Sequence, residues 1–174
     1  MFKNYQMKCR KTILFFPFNL LAHYLRCLVL ADTYNREDYR ICFLSSMEYN
    51  HFVVQHGYET FECEQFDVKT VLECAHRFDF SWMDQPSLEK IMLAQVAAIR
   101  ASRATMVIGD VAPTLKMAAE LTGALHISLL NGYMTRYYQR TRRISRSHKA
   151  YRFLKRLPAV VSDSMTQIGE QYAF

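Results

Sequence analysis

The stretch TMVIGDVAPTLKMAAELTGALHISLL, residues 105–130, decides the fold. It opens with a short, mostly β-branched run, passes through a Gly-Asp pair, and continues with Val111, Leu115, Ala118, Ala119 and Thr122 at helical spacing. Gly123 stands where a helix would end, and residues 124–130 (ALHISLL) read as a further strand. The reading predicts strand 105–108, a turn at Gly109 and Asp110, a helix from Val111, and a strand. A strand, a helix and a strand in so short a span make a βαβ unit, which requires parallel strands.

The same alternation extends toward the N-terminus. Residues 12–18 (TILFFPF) are continuously apolar, as suits a strand covered on both faces. Leu21, Leu25, Leu28 and Val29 then mark one side of a helix, and YRICFL (39–44) reads as a second strand. A short helix is expected over 47–56, a third strand over 58–63, and a helix over 69–78. Pro86 opens a longer helix with Leu88, Ile91, Met92, Gln95, Val96 and Ile99 on one side. The fold class is therefore α/β: a Rossmann-like three-layer domain with a mostly parallel sheet.

The chain has 174 residues, 51% of them apolar and 22% charged, enough for one ordinary core. Its five glycines, at 57, 109, 123, 132 and 169, are too far apart for G-x-G-x-x-G or a P-loop, so a dinucleotide fingerprint is absent. The net charge of +6 is uneven: residues 136–156 hold nine Lys or Arg and no acid, and the remainder is slightly acidic. The five cysteines are odd in number and lack C-x-x-C, which favours a reduced, cytoplasmic setting. The basic residues before the apolar stretch at 13–22 resemble a signal peptide, but Pro17 and Asn19 interrupt it and no A-x-A site follows. No run reaches the length of a transmembrane helix. His51 and His56, or Cys74 and His76, have no partners at zinc spacing, so no metal is expected.

Two residues stand out for chemistry. His23 lies just past the first strand and Asp110 just past the strand ending at Ile108. In an open parallel sheet both positions face the crevice at the carboxyl ends of the strands. A carboxylate that holds the Nδ1 proton of a histidine leaves Nε2 free to accept another, which makes a general base. A helix N-terminus also disfavours the imidazolium. Each residue has a plainer reading: Asp110 as the N-cap of the helix from Val111, and His23 as a surface residue of a helix start.

PFNLLAHYLRCLVLADTYNREDYRICFLSS (17–46), HGYETF (56–61) and VIGDVAPTLKMAAELTGALHISLLNGY (107–133) together resemble the N-terminal half of a GT-B glycosyltransferase. The similarity is to the branch holding macrolide and plant UDP-glycosyltransferases, and it spans residues 12–138. The family's Gly-His pair falls at Ala22 and His23, and its R-C-L-x-L-A helix at Arg26, Cys27, Leu28, Leu30 and Ala31. The resemblance implies an enzyme that moves a sugar from a nucleotide-sugar donor to an acceptor hydroxyl with inversion. His23 would be the catalytic base, Asp110 its orienting carboxylate, and Asn131 and Tyr133 acceptor-binding residues. The plainer reading of Asn131 and Tyr133 is a turn around Gly132. No cofactor or catalytic metal is implied beyond the donor itself.

The family's donor-binding domain has no counterpart in the chain. Expected partners are thus a small-molecule or lipid-linked acceptor and a C-terminal donor-binding domain or subunit, with the 174 residues reading as a truncated or split enzyme, inactive in isolation. The expected organisation is an acceptor-binding domain over 1–138 and, over 139–174, a basic strip and helix that begin the connection. Arg140, Arg142, Arg143 and Arg146 of the strip would meet an anionic surface, including lipid headgroups at the inner membrane face. A solvated connection is the plainer reading, and nucleic acid ranks last because the body offers no matching basic face. A nucleotide-sugar hydrolase of the same fold and a non-catalytic membrane-docking subunit are the alternatives.

Overall fold

A computed structural model describes residues 10–77 and 79–132, together with four isolated positions, Arg152, Arg156, Pro158 and Val161. The chain divides into two compact units, Met1–Leu129 and Leu130–Phe174. The first unit contains a five-stranded sheet of β1 (Lys11–Pro17), β2 (Tyr39–Leu44), β3 (Glu59–Phe61), β4 (Met106–Asp110) and β5 (Leu125–Leu129). The helices are α1 (Leu21–Ala31), α2 (Asn50–Gln55), α3 (Val68–Arg77), α4 (Gln85–Ser102) and α5 (Leu115–Thr122), with a 3-10 turn at Ser81–Met83.

The strand order is β3-β2-β1-β4-β5, and every pairing is parallel. The order reverses between β1 and β4, which makes that junction the topological switch point of the sheet. The apolar run in β1 suits its central place in the sheet. Ile13 and Phe15 face one layer with Tyr24, Cys27 and Leu28 of α1 and Val53 of α2. Leu14 and Phe16 face the other layer with Val96 and Ile99 of α4 and Leu115 and Ala118 of α5. All four of these side chains are buried, so β1 is covered on both faces. The chain is thus a three-layer α/β domain in its described part.

Most expected elements lie within one to three residues of their observed bounds, and β2 coincides. The unit around β4 differs. Gly109 and Asp110 are strand, not turn: Phe16 and Pro17 of β1 pair with them on one side, Ser128 and Leu129 of β5 on the other. A ladder on both sides outweighs the turn preference of a Gly-Asp pair. The following helix starts at Leu115, not Val111, because Val111 (φ 55°) and Thr114 (φ 65°) both adopt left-handed backbone. Residues 111–114 therefore form a separate loop. Asp110 is not an N-cap; that position belongs to Thr114. Likewise α2 begins at Asn50 rather than 47, since the Ser46 hydroxyl accepts from the amides of Glu48 and Tyr49 and holds them in a turn.

Candidate active site

The β1–α1 connection is short and tightly bonded. The Phe18 amide donates to the Asp110 carbonyl at 2.9 Å, extending the β1–β4 contact past the strand end. The Leu20 amide donates to the Phe18 carbonyl, and the His23 and Tyr24 amides to Leu20. The Ser46 hydroxyl donates to Asn19 Oδ1 at 2.7 Å and ties this connection to the end of β2. The first turn of α1 is thereby fixed over the carboxyl end of β4.

This placement brings His23 and Asp110 into contact across the switch point. His23 Nδ1 lies 2.9 Å from Asp110 Oδ1, with His23 17% exposed and Asp110 fully buried. Arg26, one turn further along α1, completes the group. Its Nε donates to Asp110 Oδ2 at 2.7 Å and its Nη2 to Oδ1. Both carboxylate oxygens are held by one guanidinium fork, a geometry that lysine does not reproduce. Burial acts to raise the Asp110 pKa, but the hydrogen bonds from His23 and Arg26 outweigh it, and the carboxyl sits below its ordinary value. Burial, with the Asp110 charge adding to it, pushes the neighbouring Cys27 thiol up to about 12, so it stays protonated.

The contacts select a tautomer. Arg26 Nη2 also approaches His23 Nδ1, at 3.3 Å. If Nδ1 were an acceptor it would face Asp110 Oδ1 lone pair to lone pair at 2.9 Å, which is repulsive. With the proton on Nδ1, the ring donates to the carboxylate and Nε2 is left as an acceptor. The Phe18 ring packs edge-on against the His23 ring, 5.7 Å between centroids, and limits how the imidazole can turn.

Phe18 also borders an open crevice at the carboxyl ends of the strands. Its other walls include Phe16, Leu44, Phe66, Ile91 and residues 111–113, and are mainly apolar. His23 and Asp110 are not among the walls, whereas Phe18, which packs on the His23 ring, is. The loop wall is clamped from α4. Buried Gln95 donates through Nε2 to the Pro113 carbonyl at 3.0 Å, and its Oε1 accepts from the Thr114 hydroxyl at 2.9 Å. Gly109 makes room for the same loop: a Cβ there would lie 2.6 Å from Leu115 Cδ2 and 3.1 Å from Ala112 Cβ.

Asn131 is half-buried in the second unit, and Tyr133 and Arg140, Arg142, Arg143 and Arg146 lie outside the described residues. Two contributors have no role in the sequence reading, though each left a signal. Arg26 is three residues from His23 and so shares its helix face. Gln95 is a lone amide on the apolar side of α4. Among the described residues, no three His, Cys, Asp or Glu side chains converge as a metal ion would require. No described helix is long and apolar enough to cross a membrane. No protein-family model matches the chain, and no curated protein is similar to it at a significant level.

Proposed function

We propose that the chain is the acceptor-binding, base-bearing half of an inverting nucleotide-sugar-dependent glycosyltransferase of the GT-B class. The observation that supports this most directly is the His23–Asp110 contact at the switch point of a parallel sheet. Asp110 holds the Nδ1 proton and Nε2 faces an incoming hydroxyl. In the reaction, Nε2 takes the hydroxyl proton as the acceptor oxygen bonds to the anomeric carbon. The bond from that carbon to the diphosphate breaks, and its electron pair leaves with the nucleoside diphosphate. Asp110 stabilises the imidazolium as it forms.

In this reading the donor is held by a second domain or subunit outside the 174 residues, consistent with the lack of a Gly-rich phosphate loop. Asn131 and Tyr133 are assigned to the acceptor. The basic residues from Arg140 to Arg146 are assigned to an anionic surface, including the inner face of a membrane, and the protein to the cytoplasm.

The test supplies the chain together with a donor-binding partner, a UDP-sugar and a panel of hydroxyl-bearing acceptors, and follows UDP release. Acceptor-dependent release that falls by about 10²- to 10⁴-fold in His23→Ala supports the proposal. Release without acceptor that still needs His23 points instead to a hydrolase, with water in place of the hydroxyl. Release indifferent to His23 removes the catalytic reading.

A further inference from the structure

Arg26 is the residue of the site that a His–Asp base does not by itself require. The three side chains contribute one carboxylate, one guanidinium and one imidazole. Asp110 is fully buried, and Arg26 bonds to both of its oxygens while lying 3.3 Å from His23 Nδ1. Among the described residues, the charged groups in contact with the ring are Asp110 from β4 and Arg26 from the next turn of the ring's own helix. On another side the ring meets Phe18, which carries no charge. The Cys27 thiol beside Asp110 is also neutral.

A buried carboxylate requires one compensating positive charge, and two groups compete to provide it. With Arg26 in place the pair is already neutral, and a proton added to His23 would leave the cluster with a net positive charge. Without Arg26, the same carboxylate would be compensated by the imidazolium. We propose that Arg26 acts as the counter-ion of Asp110 and so keeps His23 uncharged and able to accept a proton. Arg26 is thus a positioning residue for the ring: it sets the charge state of His23 through Asp110 and touches no reacting atom. This deepens the proposed reading, and rests on it for the step that consumes the base, but the charge state itself is measurable without any substrate.

The experiment is a pH titration of the full 174-residue chain labelled with ¹⁵N-histidine, read by the ring nitrogen shifts of His23. In the parent, the ring shifts are expected to place the single proton of the neutral form on Nδ1. In Arg26→Gln, which keeps hydrogen-bonding capacity and loses the charge, the midpoint of His23 rises by about one pH unit or more, at least a tenfold gain in proton affinity. Arg26→Lys keeps the charge and shifts the midpoint less than Gln does. Circular dichroism establishes that each variant is folded. A folded Gln variant whose midpoint equals the parent's overturns the proposal, as does equal displacement by Lys and Gln. If Gln does not fold, the Lys variant and the parent decide: a protonated ring in the parent at pH 7, or a Lys shift above one unit, overturns it. Absence of sugar transfer with this charge behaviour intact would count against the glycosyltransferase reading alone.

Discussion

Replacing Asp110 with Asn keeps the shape of the side chain and removes its charge. Arg26 is then left against a neutral amide, with about a third of its side chain open to water. That opening softens the penalty of breaking a buried pair, so Asp110→Asn is expected to destabilise the protein by about 2–3 kcal/mol at pH 7, measured by urea denaturation. The pH dependence has a definite sign. The folded-state pKa of Asp110 lies below the ordinary carboxylate value, so its stabilisation is complete above about pH 4 and is lost as pH falls through its own lower pKa. Other carboxyls with lowered pKa values, such as Asp32 and Glu59, contribute to the same acid limb. The difference between parent and Asp110→Asn isolates the Asp110 share, and the two stability curves should converge toward low pH. The next residue is strained: Val111 is β-branched and has φ 55°. Val111→Gly is expected to gain about 1 kcal/mol of stability, once relief of strain is set against the greater freedom of glycine in the unfolded chain. At Gly109 the direction reverses. The Cβ of Ala would press on the fully buried Leu115, and Gly109→Ala should cost about 1–3 kcal/mol in a thermal or urea melt.

Among the elements, those bounded by local chemistry were legible in the sequence and those bounded by tertiary contacts were not. The start of α4 is local. Pro86 lies in its first turn, and the Asp84 carboxylate accepts from the Ser87 amide at 2.7 Å as N-cap. Asp84→Ala should cost about 1 kcal/mol, and an unchanged melting temperature would show that this cap contributes nothing. The end of α5 at Gly123 (φ 71°) is local too. The β4–α5 junction is the opposite case. Its left-handed residues are Val and Thr, types that avoid this conformation, so residue preference points to a helix running from Val111. What holds the loop open is Gln95 of α4, which lies 18 residues before Pro113 in the chain, and the missing Cβ of Gly109. The same limit hid Arg26. Its spacing from His23 was visible, but its fork onto Asp110 depends on the β1–β4 pairing, which spans most of the domain.

At the scale of the molecule, the fold class followed from the alternation of apolar runs and helical faces, and the His23–Asp110 meeting from the rule that parallel strands share a carboxyl end. What the rule does not supply is Phe18, which packs on the His23 ring and lines a crevice whose walls do not include the pair. Among the described residues the sheet also has an unblunted edge at β5. Among the described residues β5 pairs only with β4, carries no lysine or proline, and exposes Leu125 by 57% and Ile127 by 36%. Such a strand is a template for pairing with another chain. Leu125→Lys should lower light scattering on heating at high protein concentration while changing unfolding free energy by less than about 0.5 kcal/mol.

Asp110 is gripped from two directions, since its main-chain carbonyl accepts from Phe18 while its carboxylate accepts from α1. The amide of Phe18 is therefore a built-in reporter. Deuterium should replace its proton only when the strand end parts from β4, and any molecule that wedges into the switch point must first quicken that exchange.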